Sequence, residues 1–264
     1  MEVLHFLPKG IATRLVTHYE IIRNDQAEHL IDLHVPNGYA SFVFNFTQGV
    51  KLKAKATLPP CILVPPFLKA IRIETFGPID TFVVMCKASV LSRLLGIKLY
   101  PRDFMNFIPL SDSYYLSIWQ NLKELKIPGD KIMAFEKFLI NETTVQQYQT
   151  DEIDCIYEHI IEDRGNTPIH EIMCRCRISP RTFRRKFLQR VGVNAKSLSR
   201  LVRVNYLWEK ISKYQAVDFQ EMVFDGRYFD QSHFIKDFKL IIGEKPNHFF
   251  KRNLELVKII SGKS

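Results

Sequence analysis

The sequence predicts an α+β protein, with a mainly β N-terminal domain, helices after it, and an all-α C-terminal domain. Three observations carry this. Residues 39–86 hold short β-branched and aromatic runs broken by Pro59, Pro60, Pro65 and Pro66, a pattern of edges and turns rather than of a parallel α/β core. From Tyr115 onward apolar residues recur at three- and four-residue spacing, the period of a helix. A frame spanning Ser179–Gly192 also returns at Asp230–Gly243, so the helical region contains a duplication.

Each element has a local cause. Tyr39–Phe46 ("YASFVFNF") is bounded by Pro36-Asn37-Gly38 and Gly49 and reads as a strand. "CILVPPF" and "AIRIETF" follow, the second alternating Ile71 and Ile73 with Arg72 and Glu74, and Gly77-Pro78 turns into "DTFVVMC". Phe42, Phe44, Phe46, Phe67, Phe76 and Phe82 are expected mostly to fill the sheet core, the alternative being the lining of a ligand pocket. Helices are expected at 115–126 and 130–139, separated by Pro128-Gly129. The polar stretch Asn141–Asp151 marks a boundary between domains at 1–145 and 151–254.

Beyond it, Asp151–Arg164 places Ile153, Ile156, Tyr157, Ile160 and Ile161 on one face, with Gly165 as a stop. Thr167-Pro168 and Ser179-Pro180 each read as an N-cap followed by proline at the first helical position. They predict a short helix at 168–175 and a longer one at 180–190, joined by a tight turn in "RCRIS". A helix over 195–212 then buries Leu198, Leu201, Val202 and Ile211 and carries Lys196, Arg200, Arg203 and Lys210 on its polar side.

Charge is concentrated in this region. Residues 1–150 hold 16 basic and 13 acidic side chains, whereas 175–213 hold 12 basic ones (including Arg175, Arg177, Arg190 and Lys213) against Glu209 alone. That window exceeds the net +9 of the whole chain. A field so large costs self-repulsion unless an anion offsets it, and a polyphosphate is the commonest such partner.

The repeat gives the charge a frame. At an offset of 51, Phe183 and Phe187 fall on Phe234 and Phe238, Gly192 on Gly243, and Arg185 on Lys236. Phenylalanines at i, i+4 share one helix face and should be buried, leaving the cations outside. Upstream the match slips by one: Ile172-Met173 precedes Ser179 by seven residues and Met222-Val223 precedes Asp230 by eight, so the second turn is one residue longer. The arrangement is two helix-turn-helix units joined by one long helix.

That layout, with "ISPRTFRRKF" and "YFDQSHFIKDFKLIIGEKP", resembles the AraC/XylS family of transcription regulators over about 100 residues, Asp151 to Asn253. "VPNGYASFVFNF" and "KASVLSRLLGIKLYPRDFMNFIPL" resemble, more loosely, the sensing-type N-terminal domain of one subgroup. The family usually has glycine in each turn; here Arg177 and Arg227 stand there, with Gly226 one place early. The resemblance implies sequence-specific binding of double-stranded DNA, with recognition helices near 180–190 and 231–241. It assigns base contacts to Arg181, Arg184, Arg185, Gln231, Ser232 and Lys236, since arginine can fork onto guanine and glutamine onto adenine. Thr182, Lys186, Arg200, Arg203 and Lys239 are assigned to phosphates. RNA polymerase, a small-molecule effector and a second copy of the chain are the further partners such a regulator would have.

Other chemistry has little support. Cys174-x-Cys176 lacks a second ligand pair and is expected to pack within a helix, and His5, His18, His29 and His34 show no metal-site spacing. His233 could touch DNA or support the turn. No phosphate loop, nucleophile elbow or zincin helix is present, so no enzyme and no cofactor is expected. "MEVLHFLPKGIATRL" does not read as a secretory leader, no membrane span is expected, and five scattered cysteines suit a reduced, cytoplasmic setting. Two alternatives stay open: a basic adaptor binding nucleic acid without sequence preference, and an enzyme domain tethered to DNA.

Overall fold

The computed structural model describes all residues except 1, 27–28, 49, 53–55, 101–106, 143–144, 175, 215–222 and 261–264. Part of the second N-terminal stretch of resemblance, Arg175 and Met222 therefore lie outside the described residues, as do the side chains of Ile211 and Lys213. The chain divides into two compact units. Unit 1 comprises Met1–Asp32, Tyr39–Pro65 and Arg72–Gln149, and unit 2 comprises Leu33–Gly38, Pro66–Ile71 and Thr150–Ser264.

The described strands are β1 (Glu2–Phe6), β2 (Val16–Asn24), β3 (Leu30–His34), β4 (Ala40–Asn45), β5 (Val50–Leu52), β6 (Ala56–Thr57), β7 (Cys61–Val64), β8 (Ile71–Thr75), β9 (Ile79–Cys86) and β10 (Ile108–Pro109). Among the described residues they form an antiparallel sheet in the order β1-β2-β9-β4-β7-β10 and a smaller one in the order β3-β8-β5-β6. Phe44 pairs with Phe82 across β4 and β9, and Ile21 pairs with Phe82 across β2 and β9. Helices α1 (Ala88–Leu94), α2 (Ser113–Glu124) and α3 (Pro128–Glu142) complete unit 1.

The core of unit 1 is aromatic. Phe42, Phe44, Phe82 and Tyr19 are buried around Phe135 of α3, with ring centroids 5.6, 5.9, 6.2 and 6.5 Å from it. Phe42, Phe44 and Phe82 thus do the packing expected of them. Phe46 lies against Trp119, and Phe76 is partly exposed and stacked on His29. Polar groups enter this core as well. Tyr19 donates its hydroxyl to Glu136 Oε1 at 2.8 Å. Lys131, 1% exposed, donates to the carbonyl of Leu122 near the C-terminus of α2 and lies 4.0 Å from the centre of the Phe46 ring. A cation suits the unpaired carbonyls of a helix end, yet burial lowers its pKa to about 8.

The histidines are less ordinary than their spacing suggests. Glu20, 1% exposed, lies 3.0 Å from His18 Nε2 and 3.7 Å from His5 Nδ1. Among the described residues, however, no three histidine, cysteine or acidic side chains are grouped so that they could hold a metal. All five cysteines are free thiols. Burial pushes Cys61 up to about 12 and Cys86 higher still.

Unit 2 contains α4 (Glu152–Glu162), α5 (Ile169–Met173), α6 (Pro180–Val191), α7 (Ala195–Tyr214), α8 (Gln231–Ile242), α9 (Pro246–Phe249) and α10 (Glu255–Ile260). The two segments taken from the first half of the chain bond within it: Tyr157 donates to the Gly38 carbonyl at 2.9 Å, Asn205 to the Pro36 carbonyl at 2.8 Å, and Ala70 N–H to Ile241 at 2.7 Å. Its core is built from the expected faces, with Ile153, Ile156, Tyr157, Ile160, Leu198, Leu201, Phe183, Phe187, Phe234 and Phe238 all buried.

Two local expectations are corrected. Thr167 does not cap α5: its hydroxyl and N–H both go to Asp163 Oδ2 at 2.5 Å, so Pro168 takes the cap position without a side-chain bond. Cys174 and Cys176 do not pack within a helix, because α5 ends at Met173; Cys174 is exposed and Cys176 lies in the turn.

Among the described residues, no helix is long and apolar enough to cross a membrane.

Candidate nucleic-acid interface

The two copies of the repeat fold into matched helices. Ser179 caps α6 by accepting from Thr182 N–H at 3.3 Å, with Pro180 in the first turn; Asp230 caps α8 by accepting from His233 N–H at 2.7 Å. Each helix ends in a left-handed glycine, Gly192 at φ 85° and Gly243 at φ 95°, where a side chain would be strained. The phenylalanine pairs sit 5.3 Å (Phe183 and Phe187) and 5.7 Å (Phe234 and Phe238) apart and are at most 2% exposed.

Burying these rings fixes which side chains face outward. On α6, Arg181, Arg184, Arg185 and Lys186 are exposed; Thr182 is half-buried and accepts from the Ser179 hydroxyl at 3.0 Å. On α8, Gln231, Ser232, His233, Lys236 and Lys239 are exposed. Every side chain assigned to bases from the sequence therefore stands on a solvent face.

Arg200 and Arg203 are placed differently. Arg200 donates from Nε to Asp237 Oδ1 at 2.9 Å and from Nη2 to the same oxygen, which holds its guanidinium more firmly protonated. Arg203 donates to the Gly165 carbonyl at 2.6 Å and lies 5.2 Å from the centre of the Tyr228 ring. The linking helix α7 thus grips the second recognition helix with one arginine and the α4–α5 turn with the other. Arg190, at the end of α6, pairs with Asp151 and Asp154 at 2.5 Å. Those two acids also form the capping box of α4, so the same carboxylates start one helix and hold the end of another. Lys210 of α7 is paired with Asp225. Arg200, Arg203 and Lys210 thus do not lie free on the polar face expected of α7; the partners of Arg190, Arg200, Arg203 and Lys210 are 15 to 39 residues away. Between the two recognition helices lies a groove of about 1020 Å³, lined in part by Arg184, Lys196, Arg200, Arg203 and His233.

The turns resolve the question of the absent glycines. Arg227 adopts φ +45°, the conformation glycine would favour, whereas Arg177 does not take a positive φ. Gly226 is needed for space: a Cβ there would lie 2.8 Å from Leu207 Cδ1 and from the Tyr228 ring. Arg227, read from the sequence only as a turn residue, and Phe229 are also exposed beside α8. The signal for both was the extra residue in the second turn.

Residues 173–252 match the family described as helix-turn-helix domain. This segment is a helix-turn-helix domain. The match covers α6, α7 and α8, and less than a third of the chain. No curated protein matches the chain. Among solved structures, it is similar to ToxT from Vibrio cholerae, at 14% identity over 88% of this chain and 97% of that one, with a TM-score of 0.46. It is similar too to ToxT from Vibrio cholerae bound to (E)-4-(8-methylnaphthalen-1-yl)but-3-enoic acid, at 15% identity, 88% and 97% coverage and a TM-score of 0.46. A third is the unsaturated fatty acid bound wild-type ToxT from Vibrio cholerae, at 15% identity, 92% and 95% coverage and a TM-score of 0.44.

Proposed function

We propose that the protein is a sequence-specific DNA-binding transcription regulator whose α6 and α8 read two successive major grooves. The observation that carries this reading is the matched pair of capped helices, each seated by two buried phenyl rings and each presenting polar and cationic side chains outward. Charge alone would suit any polyanion; two helices in one frame suit the repeat of a duplex. Arg181, Arg184 and Arg185 on α6, and Gln231, Ser232 and Lys236 on α8, take the base edges. Thr182, Lys186 and Lys239 take phosphates. Arg200 and Arg203 serve the same interface by fixing the helices, through Asp237 and through Gly165.

Within this reading unit 1 is where a small-molecule effector or a second copy of the chain acts, and RNA polymerase is the partner through which a bound regulator changes transcription. The test is selection of genomic fragments by the full chain. A single recovered motif with two separated halves supports the proposal, and recovery of fragments without a shared motif favours the non-specific adaptor.

A further inference from the structure

Two phenyl rings are exposed where the proposed interface should begin, Phe224 at 82% and Phe229 beyond it. Phe229 is 93% exposed, the most of the exposed large hydrophobic side chains. It does not stand on a loose segment. Tyr228 before it is 5% exposed, its ring 5.5 Å from Phe234 and 5.3 Å from His233, and its N–H donates to Val223 at 2.9 Å. Asp230 after it is held by the cap bond to His233 N–H. Phe229 is therefore pinned outward between an anchored ring and a helix cap.

The repeat explains why it faces out. In the first unit the residue before the cap is Ile178, which is half-buried. The second turn is one residue longer, so Tyr228 takes the inward place and Phe229 is the residue left over. A phenyl ring left in water forgoes the gain of burial, which a partner covering it would recover.

The surroundings restrict that partner. Arg227, Gln231, Ser232 and Lys236 are exposed on the same turn and helix, and the Asp230 carboxylate is engaged by the helix end. Cations and amide or hydroxyl groups around this ring suit a polyanion with an apolar spot within reach. In the major groove that spot is the C5-methyl of thymine, which phenylalanine can contact. We infer that Phe229 is a specificity-determining residue that packs on a thymine methyl in the half-site read by α8. This deepens the proposed function and rests on it.

The experiment uses the full chain and its selected DNA site, with thymines replaced one at a time by deoxyuridine, which lacks only the methyl. Wild type should lose roughly fourfold in affinity at one or two positions of the second half-site, the worth of burying one such carbon. Phe229→Ala should show that loss already on thymine DNA and no further loss on deoxyuridine DNA. An unchanged melting temperature is expected for this variant, given the exposure of the ring. The inference is overturned if Phe229→Ala keeps the wild-type sensitivity at every thymine, or weakens both DNAs alike beyond that. It is overturned too if the variant changes the oligomeric state in sedimentation, which would make Phe229 a contact between copies. If wild type does not distinguish the site from scrambled DNA, base reading itself has failed. If it does and only the coupling is absent, the inference alone has failed.

Discussion

Arg200 on the linking helix and Asp237 on the second recognition helix form an ion pair, with Nε 2.9 Å from Oδ1, in which the acid is buried and a third of the arginine meets solvent. The asymmetry predicts unequal effects of the two substitutions. Arg200→Ala leaves a buried carboxylate without its main partner and should cost about 2–4 kcal/mol, less than a fully buried pair because the arginine is part exposed. Asp237→Val removes the buried charge and frees Arg200 toward solvent, so it should cost clearly less. Chemical denaturation of both variants checks the order; equal losses would mean that the pair does not hold α8.

Base-reading and phosphate-holding cations should separate by specificity. Arg184→Ala is expected to cost about 1–3 kcal/mol at the selected site and to relax preference there, whereas Lys239→Ala should weaken all sequences alike and reduce the salt slope by about 1. Titrating labelled site and scrambled DNA against each variant at several salt concentrations checks this, and equal losses on both DNAs for Arg184→Ala would count against its role.

Arg227 offers a test in which stability and affinity move in opposite directions. A side chain at φ +45° is strained, so Arg227→Gly should gain roughly 0.5–1 kcal/mol of stability. It also removes an exposed cation beside α8, so DNA affinity should fall even as the melting temperature rises. A variant that is less stable would show that the arginine side chain does more for the turn than its backbone strain costs.

Gly165 is constrained in both ways at once. It has φ +68°, and a Cβ there would lie 2.1 Å from the Ser199 carbonyl oxygen, a backbone atom of α7. Gly165→Ala should destabilise the chain by roughly 2–6 kcal/mol, strain and overpacking together, with loss of the Arg203 bond to the same residue. Thermal unfolding of the variant measures it.

Lys131 gives a pH dependence with a defined sign. Its pKa is lowered to about 8 in the folded chain and returns to about 10.4 on unfolding. Between those values the unfolded chain binds more protons, so the contribution of this group to stability rises with pH. Compared with Lys131→Met, wild type should gain stability between about pH 8 and 10.4 and show a constant difference below that window. A difference that falls with rising pH would contradict the assignment.

Much of unit 2 was legible because its signals are local. Ser179-Pro180, Asp230 and the two glycines mark helix ends, and a phenylalanine pair at i, i+4 marks an inner face. What was not legible depends on distant partners. Nothing near Arg200 announces Asp237, although an acid at i+3 from Phe234 and one before Phe238 falls on the buried face and so demands a cation. Arg190 likewise finds Asp151 and Asp154 only after folding. In unit 1, β2 was hidden because Tyr19, Glu20 and Ile21 are all buried in succession, which erases the alternation of a half-exposed strand. The membership of Leu33–Gly38 and Pro66–Ile71 in unit 2 had no local signature, since it rests on backbone groups: the carbonyls of Pro36 and Gly38 meeting Asn205 and Tyr157, and the N–H of Ala70 meeting Ile241.

The most direct measurement is selection of binding sites in parallel by wild type, Arg184→Ala and Lys236→Ala. The paired-helix account predicts two short motifs centred about 10–11 base pairs apart, with Arg184→Ala relaxing one and Lys236→Ala the other. A single undivided motif relaxed by both variants, or no motif for wild type, would contradict it.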